Sequence, residues 1–196
     1  NLLAALDRPT AGDIRLDGME LTELPDAEIA KFRRDNLGFV FQEFNLLDSF
    51  TVEDNILLPL VLRGEKYPAM REKLEALTEK LGIAELVKKY PYEISGGQKQ
   101  RAAVARAVIT EPKLVLADEP TGALDSRASD ELLDLFGEIN SAGQTIIMVT
   151  HSVRAASRAK RVFFIKDGEI NGELRRQRDS SEGFYQRINE VLMGGD

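Results

Sequence analysis

An α/β fold with a parallel sheet at its centre is the class that this 196-residue sequence predicts. Four apolar runs have the length of strands: Leu37-Gly38-Phe39-Val40-Phe41, Leu114-Val115-Leu116-Ala117, Thr145-Ile146-Ile147-Met148-Val149 and Val162-Phe163-Phe164-Ile165. Between them lie stretches whose apolar residues recur three and four apart, the period of an amphipathic helix. Gln42, Asp118, Glu119 and His151 stand at the exits of three of these runs. That is where ligands gather in parallel sheets.

Taken in order, Asn1 to Leu6 reads as the end of a helix, broken by Arg8-Pro9-Thr10-Ala11-Gly12. Ile14 and Leu16 alternate as a short strand before an Asp17-Gly18 turn. Ala27 to Arg34 can form a brief charged helix, and Leu37 to Phe41 supplies a strand that ends at Gln42. From Thr51 to about Lys89 the period changes, with Met70, Leu74, Leu77 and Leu81 on one stripe, so the middle third is expected to be helical. Ser95-Gly96-Gly97-Gln98-Lys99-Gln100-Arg101 opens the helical stretch Ala102 to Ile109. Leu114 to Ala117 reads as a buried strand, Leu124, Ala128, Leu132, Leu135 and Ile139 as one helix face, and Thr145 to Val149 as another strand. Val162 to Ile165 adds one more strand, Asp167-Gly168 a turn, and Gly183 to Met193 a closing helix with Phe184, Ile188 and Leu192 aligned.

Composition narrows the function classes. Lys and Arg number 26 against 33 Asp and Glu, a formal net charge of -7, which argues against a nucleic acid as main partner. Cysteine is absent, which excludes disulfides, thiolate zinc sites and a cysteine nucleophile and is compatible with a reducing cytoplasm. Charged residues interrupt every apolar run well before the roughly 18 residues that a membrane-spanning helix needs. The chain opens on Asn1 without a signal-peptide pattern, and it is expected to be a fragment of a longer polypeptide.

The candidate chemistry follows from residue type and place. Asp118 and Glu119 are adjacent carboxylates at a strand end and point to different sides of the chain, so one can serve a metal while the other serves a water. A solvated strand-end turn explains the pair equally simply. Ser95, Gly96 and Gly97 lie at a helix N-terminus, where free amides, the helix dipole and a hydroxyl suit a phosphate; an ordinary serine N-cap is the alternative. The carboxamide of Gln42 can donate to and accept from a water or a metal-bound water, and His151, the sole histidine, can donate to a phosphate oxygen. Either is also an ordinary surface residue when taken singly.

Together, Gln42, Ser95-Gly96-Gly97-Gln98, Asp118-Glu119, Ala123-Leu124-Asp125 and His151 occur in an order and spacing that resembles the ATP-binding subunits of ABC transporters, over essentially the whole chain. In that family's terms Gln42 looks like the Q-loop and Ser95 to Gln98 like the signature loop, with Ile94 in place of the usual leucine. Leu114 to Glu119 looks like the Walker B strand, Ala123 to Asp125 like the D-loop and His151 like the switch histidine. Phe44-Asn45-Leu46-Leu47, Asn55-Ile56-Leu57-Leu58-Pro59-Leu60, Tyr90-Pro91-Tyr92-Glu93-Ile94-Ser95 and Glu119-Pro120-Thr121-Gly122-Ala123-Leu124-Asp125 resemble the group of lipoprotein-release, macrolide-export and cell-division ATPases. Gly122 to Ser126, Ile147 to His151 and Phe164 to Gly168 lean toward its bacitracin and antimicrobial-peptide resistance branch.

The resemblance implies a P-loop NTPase (RecA-like) core over 1–42 and 91–174. It also implies an inserted helical subdomain over 43–90 that continues into a signature helix at 95–110, and a C-terminal tail and helix over 175–196. It implies ATP and Mg2+ as cofactors, with Glu119 as general base, Asp118 and Gln42 on the metal side, and His151 as a transition-state donor. Ser95, Gly96, Gly97, Gln98 and Asp125 would serve the nucleotide. The implied partners are a membrane permease and, with ATP, a second copy of the subunit, at the cytoplasmic face of the membrane.

The family's phosphate loop, Gly-x-x-x-x-Gly-Lys-Ser/Thr, has no match in the sequence. Asn1-Leu2-Leu3 resembles the continuation of the helix that follows that loop, so these residues alone are expected to be inactive. Two rivals stay open: a chromosome or repair ATPase, which would want a coiled-coil insertion and a basic surface, and a catalytically incompetent binding module.

Overall fold

A computed structural model describes residues 2–194. Asn1, Gly195 and Asp196, ends of the expected first helix and of the C-terminal tail, lie outside the described residues. The hairpin β1 (Arg15–Leu16) and β2 (Met19–Glu20) is followed by α1 (Asp26–Asn36), β3 (Leu37–Phe41), α2 (Val52–Leu62), α3 (Tyr67–Lys80) and α4 (Gly96–Val108). Then come β4 (Leu114–Asp118), α5 (Ser126–Ser141), β5 (Ile146–Val149), α6 (Val153–Ala156), β6 (Arg161–Lys166), β7 (Glu169–Arg175) and α7 (Ser181–Met193).

The centre is a three-stranded parallel sheet in the order β3, β4, β5. Its register aligns the exits, since Phe41 pairs with Asp118 and Asp118 with Val149. Side chains alternate across a strand, and here the two faces fill two cores. Val40, Val115 and Ala117 join the larger one with α2, α3, α4 and α5, while Leu37 and Leu114 join Leu21 and Phe32 of the hairpin and α1 side. On β5, Ile146 and Met148 pack on the larger core, whereas Ile147 and Val149 are exposed.

Glycine permits one approach that decides the geometry. A Cβ on Gly38 of β3 would overlap the Ala107 carbonyl of α4, so helix and strand meet backbone to backbone. Arg63, which ends α2, donates to the carbonyls of Asp35 at 2.6 Å and Thr110 at 2.8 Å, tying α2 to the ends of α1 and α4. Asn55, fully enclosed, accepts from the Leu47 amide at 2.7 Å and donates to the carbonyls of Leu47, Phe50 and Thr51, which pins the loop before α2.

Several expectations need correction. The helix expected to end at Leu6 is a single turn, closed by an Ala5 amide to Leu2 carbonyl bond with Ala5 left-handed at φ 50°. The strand over 162–165 does not extend the parallel sheet; it pairs antiparallel with β7, a strand the sequence reading did not foresee. Its cause is local, because Asp167 and Gly168 both take positive φ, 52° and 83°, the conformation that closes a tight hairpin. On α5, Leu132, Leu135 and Ile139 are buried as expected, but Leu124 lies in the preceding turn. On α7, Phe184 and Ile188 are buried while Leu192 is exposed.

Candidate active site

The site is assembled where β3, β4 and β5 end. Gln42 leaves β3 beside Asp118, the last residue of β4, because Phe41, the residue before Gln42, is the register partner of Asp118. The carboxamide of Gln42 lies over Gly122, where any Cβ would collide with it, so Gly122 leaves the space that Gln42 occupies. Asp118 is exposed at the strand exit.

Glu119 turns the chain sharply, with a left-handed φ of 43°. A non-glycine residue there costs roughly 1–2 kcal/mol. The conformation is held by the Glu119 amide, which donates to the Val149 carbonyl at 2.9 Å, and by the side chain. Oε2 accepts from the Thr150 hydroxyl at 3.0 Å and Oε1 from the His151 amide at 2.5 Å. Thr150 is in turn fixed by the Ser152 amide, which donates to its Oγ1 at 3.0 Å. The carboxylate is thus aimed by two donors from the exit of β5. The imidazole of His151 is fully in solvent, its Nε2 3.9 Å from Glu119 Oε1.

Beside this turn opens a cleft of about 380 Å³ lined by Glu119, Gly122, Leu124, His151, Ser152 and Arg154 among others. A hollow of similar size, about 400 Å³, lies between the N-terminal turn and α1. It contains none of the strand-exit residues, and two of its charges, Arg8 and Asp26, are already paired at 2.8 Å.

Ser95 is the N-cap of α4 in a reciprocal capping box: its Oγ accepts from the Gln98 amide at 3.3 Å, and Gln98 Oε1 accepts from the Ser95 amide at 2.9 Å. Capping uses one lone pair of the hydroxyl and leaves its proton free to donate. Among the described residues the amides of Gly96 and Gly97 have no acceptor, so an anion can approach them. Gly97 also serves packing, since a Cβ there would lie 3.2 Å from the Ala128 methyl of α5. Asp125 caps α5, its Oδ1 accepting from the Ala128 amide at 2.9 Å.

The structure therefore brings Gln42, Asp118, Glu119 and His151 to one sheet edge and sets Ser95 to Gln98 and Asp125 at the starts of α4 and α5. Thr150, which the sequence reading passed over, is part of the Glu119 clamp; its position directly before the only histidine is the signal that could have found it. Among the described residues no cluster of three carboxylate or imidazole side chains could cage a metal. Mg2+, the ion that the resemblance implies, takes one or two carboxylates and completes its shell with water and phosphate oxygens. Asp118 and the Gln42 carboxamide are hard oxygen donors at adjacent strand ends, and they fit that demand.

The pattern of the ABC transporter family matches residues 1–122. The chain is 47% identical over 198 residues to the bacitracin export ATP-binding protein BceA of Halalkalibacterium halodurans, an alignment that covers all of this chain and 78% of that protein. It is 47% identical over 170 residues to the macrolide export ATP-binding/permease protein MacB of Hyphomonas neptunium, covering 87% of this chain and 26% of the relative. Among solved structures, the dimeric post-hydrolysis state of the ATP-binding cassette MJ0796 bound to ADP and Pi, from Methanocaldococcus jannaschii, superposes with a TM-score of 0.79 at 35% identity. That superposition covers 89% of this chain and 78% of the other. With its parallel sheet, helical insertion and strand-exit residues in one P-loop NTPase fold, the chain belongs to the ATP-binding subunits of ABC transporters.

Proposed function

We propose that this chain hydrolyses ATP to drive a transporter that exports, or confers resistance to, a peptide antibiotic. The observation that carries the substrate class is the alignment of the entire chain with BceA at 47% identity. In this reading the chain works at the cytoplasmic face of the membrane, docked on a permease through residues 43–90. It closes on a second copy when ATP is bound, and it acts in a polypeptide that supplies the phosphate loop.

Mg2+, when bound, neutralises charge on the phosphates, and Asp118 and Gln42 would hold it. Glu119 takes the proton of the attacking water; the Thr150 hydroxyl and the His151 amide keep its carboxylate turned toward the cleft. His151, unencumbered in solvent, is free to swing and donate to a phosphate oxygen as charge develops there. Ser95 and the amides of Gly96 and Gly97 cover the phosphates held by the other subunit, with the dipole of α4 behind them.

Glu119→Gln keeps the side-chain shape and one of the two acceptor oxygens but cannot take the proton. In a protein that carries this chain together with the phosphate loop, it should bind ATP normally and lose on the order of 10²-fold or more in kcat; turnover near wild type removes Glu119 from the role of base. The substrate class is tested by co-expressing that protein with its permease in a bacitracin-sensitive host. A rise in bacitracin tolerance that Glu119→Gln abolishes supports the reading. The identity to MacB over 87% of the chain favours a second reading, macrolide export, in which tolerance rises for macrolides instead.

A further inference from the structure

Two polar side chains of α4, Gln100 buried and Arg106 half-buried, are bonded to backbone although the proposed chemistry uses neither. Gln100, one turn beyond Gly97, is fully enclosed. Its Nε2 donates to the Phe41 carbonyl at 3.1 Å and to the Pro120 carbonyl at 2.6 Å. Phe41 directly precedes Gln42, and Pro120 directly follows Glu119. The Oε1 of Gln100 is buried without a hydrogen-bond partner among the described residues. A buried amide that is half satisfied lowers stability, and methionine of similar shape would remove that orphaned acceptor at the cost of the two bonds to the Phe41 and Pro120 carbonyls. What glutamine adds at this position is the pair of bonds from its amino end.

Arg106, lying further along α4, donates to the Asn45 carbonyl at 2.5 Å and to the Phe44 carbonyl at 3.0 Å. Both of those residues are left-handed, with φ of 49° and 62°, so this turn is strained without external support. Partial burial lowers the pKa of Arg106 from its ordinary value by desolvation. Phe44 also reaches back to the head of the helix, where its Cζ would lie 3.7 Å from a Cβ placed on Gly96. The backbone contact of Gly38 with Ala107 closes the same interface.

We propose that Gln100 and Arg106 are positioning residues that lock the Gln42 loop and the Glu119 turn to α4. Gln100 sets the spacing between the two strand exits, and Arg106 holds the turn that follows Gln42. A push on residues 43–50 therefore moves the start of α4 and the two strand exits together. This rests on the ATPase reading of Gln42 and Glu119.

The test uses the protein that carries this chain with its phosphate loop, assembled with its permease. Gln100→Met removes both donors while keeping the volume and deletes the orphaned acceptor. It should remain folded at the assay temperature, with a KM for ATP within about twofold of wild type and a kcat lower by about tenfold or more, because a displacement near 1 Å is costly at a reacting centre. Arg106→Lys keeps the charge but cannot span two carbonyls, and it should lower kcat in the same way. A kcat within twofold of wild type in Gln100→Met overturns the proposal, as does a loss that only tracks the fraction of folded protein. If Gln100→Met does not fold, Arg106→Lys decides by the same criteria. Absence of turnover in the wild-type complex overturns the ATPase reading itself, and is told apart because the variants are then never compared.

Discussion

Thr150 shows how one hydroxyl can orient a carboxylate, here the one proposed as the base. It donates to Glu119 Oε2 while accepting from the Ser152 amide, so its proton has a single direction in which to point. Thr150→Val preserves shape and β-branching and removes that donor, leaving the carboxylate with the His151 amide alone. The expected outcome is a fall in kcat of about tenfold with little change in KM, restored by Thr150→Ser, in steady-state ATPase assays on the phosphate-loop-bearing protein. Equal activity in the valine variant would remove Thr150 from the clamp. At this scale the strand exits were legible, because Gln42, Asp118, Glu119 and His151 each follow a strong apolar run. Ser95 and Asp125 were harder, since the residue types that suit nucleotide contact also make good N-caps, and both side chains cap helices.

Between elements, long-range polar bonds decide how the helices sit. Glu131 of α5 accepts from Arg101 of α4 at 3.0 Å and from Arg127 one turn before it at 3.0 Å. The hydrogen bond from Arg127, then that from Arg101, hold its carboxyl below the ordinary glutamate value. A folded pKa lowered in this way contributes stability that is present above the unfolded value and is lost as pH falls through the folded one. The wild-type urea midpoint should therefore drop more steeply below about pH 4.3 than that of Glu131→Gln, while the two converge in slope above pH 6. Parallel pH slopes throughout would show that the pair does no such work. The periods of the sequence located α3, α5 and α7 well, yet Leu192 is exposed because periodicity reports a face and not how far a neighbour extends along it.

Over the whole molecule, the groups proposed to face the nucleotide lie at the ends of α4, α5 and the sheet, on elements whose backbones are held by bonds between distant segments. Two copies must face one another for the exposed start of α4 to cover phosphates held elsewhere. In the phosphate-loop-bearing protein with Glu119→Gln, light scattering should find a monomer without nucleotide and a dimer with ATP. A monomer under both conditions would sink the paired arrangement. Each copy of these residues carries a formal charge of -7, so association should tighten as salt is raised from about 0.01 M toward 0.15 M, where the Debye length shortens from about 30 to 8 Å.

What the sequence determined by itself was local: runs of strand and helix period, the turns at Asp17-Gly18 and Asp167-Gly168, and the order of polar residues at strand exits. These are encoded within a few neighbouring residues, by side-chain periodicity and by the φ each residue tolerates. The tertiary structure alone decided that β6 pairs with β7 outside the parallel sheet, that Thr150 aims Glu119, and that Gln100 and Arg106 grip the Gln42 loop. Such contacts join residues 31, 59 and 62 positions apart. No local spacing carries them, because a buried hydrogen bond depends on which backbone carbonyl the packed core brings within reach.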